Sequence, residues 1–182
     1  MKKVTFLVIT IISLNLSLTA FSGNNLTEEN IKNAKAWCEY RINVLTVEQE
    51  QQVKEFGPIA SETNQYIIEH YELIHDMLSL LEPSFMPSEQ IIAYATAWKN
   101  IKGKNERQET VADAKNNSKA WLQHRIYMLI LDHDNNNEEK IAIMQNTYQL
   151  LKDDKVYCGR PSMNQPPAVP CELIFVFSIA YK

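Results

Sequence analysis

The stretch NAKAWCEYRINVL, from Asn33 to Leu45, returns as NSKAWLQHRIYML from Asn117 to Leu129. Seven of the thirteen positions are identical: Asn, Lys, Ala, Trp, Arg, Ile and Leu. Composition alone would give about one match, so the chain contains an internal repeat. A repeat with helical spacing confines the fold to copies of one helical unit that bury their apolar faces against each other.

Sparse glycine and proline sharpen this. Gly57-Pro58, Pro83, Pro87, Gly103 and Gly159 to Pro161 fall between periodic segments and never inside one. The uninterrupted stretches between them read as helices. The first runs from about Thr27 to Phe56. Thr27 is placed to cap it, and Ile31, Ala34, Cys38, Ile42 and Leu45 line one face. The second starts near Pro58, carries Ile67, Tyr71, Ile74, Leu78 and Leu81, and stops at Pro83. A shorter one spans Ser88 to Lys102. The next, from about Asn105 to Leu131, puts Val111, Ser118, Leu122, Ile126 and Leu129 on one face. The last, Glu138 to Lys152, shows Ile141, Met144, Tyr148 and Leu151 in one stripe. ELIFVFSIAYK, at the end, is β-prone and reads as a short strand or a packed extended segment.

The expected fold is therefore all-α. Two repeated helical hairpins, 27–82 and 105–154, with the helix 88–102 inserted between them, make a four- to five-helix bundle. A short extended tail, 155–182, is closed by a disulfide loop. The sequence reads as a single domain over 23–182, preceded by a signal peptide over 1–22. Lys2 and Lys3 form a basic start, Val4 to Leu18 is apolar, and Ala20-Phe21-Ser22 has the small-x-small pattern of a cleavage site. No cysteine follows the apolar stretch, so no lipid anchor is expected, and none of the chain stays in the membrane after cleavage. The Lys/Asn/Ile richness suggests a bacterium, and the expected location is periplasmic or secreted.

Charge and cysteines bound the partners. The full chain carries −4. The leader holds two lysines and no acid, so the mature chain carries −6. An acidic excess argues against nucleic acid or an anionic membrane as partner. Export permits a disulfide. Cys158 and Cys171 flank the proline-rich CGRPSMNQPPAVPC and are the expected pair, with Cys38 a free buried thiol; pairing of Cys38 with a tail cysteine is the alternative.

Four features are candidates for chemistry. Trp37–Arg41 and Trp121–Arg125 stand four apart, where an indole and a guanidinium can stack, and Trp98 with Lys102 echoes the spacing. Together Trp37, Arg41, Trp98, Trp121 and Arg125 could grip a carbohydrate, a carboxylate or an acidic surface. The favoured reading is structural: each Trp seals the edge of the core while Arg covers it. Glu72-Leu-Ile-His75 has the spacing of a di-iron ligand pair, but it lies off the apolar stripe and has no second copy. DHDNNN begins like a calcium loop at Asp132, Asp134 and Asn136, then fails at Asn137 and Ile143 where glycine and glutamate belong. The four histidines, His70, His75, His124 and His133, fall in two regions. HExxH, CxxC, a Gly-rich phosphate loop and GxSxG are absent from the sequence.

No metal, cofactor or catalytic residue is therefore assigned. The expected function is that of an exported, non-catalytic helical protein binding another protein of the cell envelope, as an inhibitor, immunity or accessory subunit. A small-ligand- or metal-binding bundle and an enzyme with a dispersed active site are the alternatives.

Overall fold

A computed structural model describes residues 26–57, 62–80, 86–101, 110–132, 137–158 and 165–182. The expected leader, Lys102, His133, Asp134 and Asn136 lie outside the described residues. Among the described residues six helices form: α1 (Glu28–Phe56), α2 (Glu62–Ser79), α3 (Ser88–Ile101), α4 (Val111–Leu131), α5 (Asn137–Lys152) and α6 (Cys171–Tyr181). The helix-bundle reading holds. None of these helices is long and apolar enough to cross a membrane.

The repeated helices begin alike. Thr27 Oγ1 accepts the Asn30 amide at 3.1 Å, and Thr110 Oγ1 accepts the Asp113 amide at 3.1 Å. Each hydroxyl satisfies an amide that the first helical turn leaves without a partner. Their ends differ. α4 stops at Leu131, which corresponds to Val47, whereas α1 continues to Phe56. It ends where Gly57 takes φ 81° and donates its amide to the Val53 carbonyl.

α6 corrects the sequence reading of the tail. Residues expected to be extended are helical from Cys171 to Tyr181. An apolar run of this kind has no polar face to reveal its period. It is apolar all round because it packs on α3, on α4 and on the strand before it. Among the described residues the strands are β1 (Val156–Tyr157) and β2 (Val169–Pro170), a parallel pair in the register Val156 to Val169. The expected Cys158–Cys171 disulfide follows this pair directly, and Cys38 is free and buried.

α6 also gives the repeat its third member. PSFMPSEQI, 83–91, and PPAVPCELI, 166–174, share Pro, Pro, Glu and Ile in register. Glu89 and Glu172 are each the second residue of their helix. Met86 and Val169, just before α3 and α6, are both buried. So the helix expected as an insert has a counterpart, and each half of the molecule is a three-helix unit: α1–α2–α3 and α4–α5–α6. α1 packs on α2 and α3, and α4 packs on α5 and α6.

The halves meet through α3 and α6, which lie side by side. Asn100, near the end of α3, donates Nδ2 to the carbonyls of Ile179 and Ala180 at 2.9 and 3.1 Å, so the two helices end together. Lys99 pairs with Glu29 at 2.9 Å, so α1 runs antiparallel to α3. Ser118 Oγ, wholly buried, donates to the Ile174 carbonyl at 2.7 Å and ties α4 to α6. The small buried side chains Ala93, Ala95 and Ala97 let α3 sit in the middle of the bundle.

Candidate functional site

The repeated tryptophans are inside the core. Trp37 is 0% exposed and Trp121 3%. A position about 100° from the centre of a two-helix stripe is ordinarily a boundary. Here each Trp-bearing helix has two partners rather than one, so its buried arc is wider. Trp121 stacks on Phe177 of α6 with ring centroids 4.8 Å apart and planes at 11°. Trp37 meets Tyr40 at 6.0 Å, and Tyr40 meets half-buried Trp98 at 6.0 Å.

Both arginines reach into the opposite half. Arg41 Nε donates to Glu172 Oε1 at 2.9 Å. Arg125 donates Nε and Nη2 to Glu89 Oε2 at 2.9 and 2.8 Å. Each glutamate lies in the first turn of a central helix, where the amide dipoles favour a carboxylate. The arrangement is reciprocal: the first helix of each half holds the third helix of the other. Of the five expected binding residues, Arg41 and Arg125 thus join the two halves, while Trp37, Trp98 and Trp121 pack on aromatic rings within their own halves.

The seam is not symmetric in detail. Tyr71 Oη also donates to Glu172 Oε1, at 2.8 Å. Burial, and then the Glu172 carboxylate, push the Tyr71 hydroxyl well above its usual range, so it stays protonated and keeps donating. Its counterpart on α5 is Met144, which has no hydroxyl. Burial depresses the neighbouring His70, with Glu172 opposing weakly. The buried Cys38 thiol is pushed up by burial and then by Glu39, which disfavours the thiolate. Tyr94 is pushed up by burial and hydrogen-bonded by Gln90 at 2.9 Å.

The outer faces of the two hairpins occupy equivalent places and carry different chemistry. In the first half His75 Nε2 meets Glu39 Oε1 at 3.2 Å. At the same positions in the second, Gln123 Nε2 donates to the Tyr148 hydroxyl at 3.2 Å. Glu39, Ile42, Asn43, Glu72, His75 and Asp76 line an open groove of about 540 Å³ between α1 and α2. The matching residues Gln123, Ile126, Tyr127, Gln145, Tyr148 and Gln149 include no charged side chain. The Glu72–His75 pair therefore faces solvent. No group of three or more metal-ligating side chains occurs among the described residues. Asp132 ends α4 and accepts Asn137 Nδ2 at 3.4 Å, while that amide also reaches the Leu129 carbonyl at 3.1 Å. Those contacts give Asp132 and Asn137 a capping role.

The feature sequence reasoning missed lies on α4. His124, Tyr127, Met128 and Leu131 follow one another at helical spacing, and all are exposed. Tyr127 is 59%, Met128 43%, Ile130 51% and Leu131 49% exposed. The signal was present as YMLIL, residues 127–131, a run too apolar for one core-facing stripe to bury. The chain matches no family model, no curated protein and no solved structure.

Proposed function

We propose that this is an exported, non-catalytic protein that binds another protein of the cell envelope through the outer face of its second half. The observation that carries the reading is the exposed row of Tyr127, Met128, Ile130 and Leu131 on α4. Aromatic residues and methionine are enriched at protein interfaces, and a contiguous apolar surface of this kind marks an interaction site more often than a solvated one. The corresponding positions on α1 are Asn43, Val44, Thr46 and Val47, so the face belongs to one copy of the repeat only. The half-buried arginines of the seam are engaged with Glu172 and Glu89, which fits a scaffold that presents a surface. The disulfide is compatible with an oxidising location.

Native mass spectrometry of the protein released gently from its own cell envelope tests this. The expected result is a stoichiometric second protein, lost when Tyr127→Ser and Leu131→Asp are combined. Both side chains are exposed, so the double variant should keep its fold. A bare monomer for both wild type and variant, after crosslinking as well as without it, rejects the reading.

A further inference from the structure

α3 and α6 are equivalent helices reached by unequal connections. Eight residues, 80–87, separate α2 from α3, whereas eighteen, 153–170, separate α5 from α6. The Cys158–Cys171 bond cuts this difference out: it joins the end of the sixth residue after α5 to the first residue of α6. Cys171 stands where Ser88 stands in α3. The next residue, Glu172, accepts from both Arg41 and Tyr71. The bond therefore fixes the position adjacent to the one that anchors α6 to the first half.

α6 has little to hold it as a helix on its own. Eleven residues are too few for an isolated helix in water. Its Pro170 cap supplies no side-chain hydrogen bond, unlike Thr27 and Thr110. Its order comes from docking: Ile174, Val176, Phe177 and Ala180 in the core, and donors from Asn100 and Ser118. Cys158 is exposed, so small reductants and oxidants can reach the bond.

We propose that docking of α6 is conditional on this disulfide, so that the bundle is completed only where the two thiols can be oxidised. The closing step is thiol–disulfide exchange with a small-molecule disulfide. Cys158 and Cys171 give up two protons and two electrons as their S–S bond forms, and the oxidant's S–S bond is cleaved to two thiols. Before that step the face of α4 around Trp121 and the inner face of α3 are uncovered. The chain is then an incomplete bundle with its first half assembled.

Hydrogen exchange read by mass spectrometry on the full chain tests this, oxidised, reduced with a phosphine, and as the Cys158→Ala/Cys171→Ala variant. Residues 171–181 should exchange about tenfold faster or more in the reduced chain and in the variant, while α1 and α2 keep their protection. Reoxidation with oxidised glutathione should restore the slow exchange of α6 in the wild type and leave the variant unchanged. Three results overturn the proposal. One is equal protection of α6 in both redox states. Another is loss of protection in all six helices together. The third is a variant that behaves as the oxidised protein does.

Discussion

The two halves of this molecule share a skeleton and differ in almost everything they show to solvent. Each is a three-helix unit with a buried Trp, an Arg four residues on, and a Glu in the first turn of its third helix. Yet residues 26–101 hold five Lys and Arg against twelve Asp and Glu, whereas residues 102–182 hold eleven against ten. One hairpin offers an acidic groove, the other an amide-and-aromatic surface beside an apolar row. The difference separates two kinds of constraint. The crossed Arg and Glu positions stay alike because each answers to a partner in the other copy. Positions that face outward answer only to solvent or to a ligand, and these have diverged.

The largest test of that equivalence is at the tryptophans. Trp37→Ala and Trp121→Ala should each lower stability by about 3–5 kcal/mol in urea unfolding, because both indoles are buried in packed surroundings. A small effect at one site alone would break the comparison. Next come the crossed ion pairs. Arg41→Ala should cost about 3 kcal/mol, leaving Glu172 with Tyr71 alone, and Arg125→Ala about 2 kcal/mol, since Arg125 is more exposed. The reverse order would mean that the Tyr71 hydroxyl compensates for a lost guanidinium.

Tyr71→Phe isolates the asymmetric contact. It should cost about 1.5 kcal/mol by the same measurement, the loss of a hydrogen bond to a carboxylate. The smallest effect is acid sensitivity. Burial depresses His70 below its usual 6.5, so the unfolded chain binds its proton first as pH falls. Stability from this group is fully present above about pH 6.5 and declines as pH drops through the folded value. His70→Leu, which follows the apolar Ile143 at the matching place in α5, should flatten the pH dependence of the urea midpoint between pH 7 and 5. A profile unchanged by the substitution would remove His70 as its source.

Much of the bundle was legible because long helices announce themselves. Thr27, Gly57 and the 4-3-4 spacing from Ile67 to Leu78 act locally, so their effects can be read without knowing what packs where. The third helix of each half was harder. Nine residues of α1 overhang and ten extra residues of connection shift the register between α2 and α5 and then shift it back, which hides the match between Glu89 and Glu172. The run LIFVFSIA has no polar face, so its helix is dictated by α3 and α4 around it and not by its own pattern. The pairing of Arg41 with Glu172 spans 131 positions and is a product of topology alone. By contrast the exposed row on α4 could have been found by asking which apolar residues the core stripe had no room for.

The crossed pairs have a consequence for ancestry. A chain of half this length, bearing one such Arg and one such Glu, would find its partners only in a second copy of itself, and the two copies would meet about a two-fold axis along their third helices. Such an assembly dissolves on dilution. Joining the copies end to end replaces an encounter between molecules with a contact inside one, whose effective concentration no longer depends on how much protein the cell makes. Once joined, the copies no longer need to be identical. Each outer face is then free to change without the other.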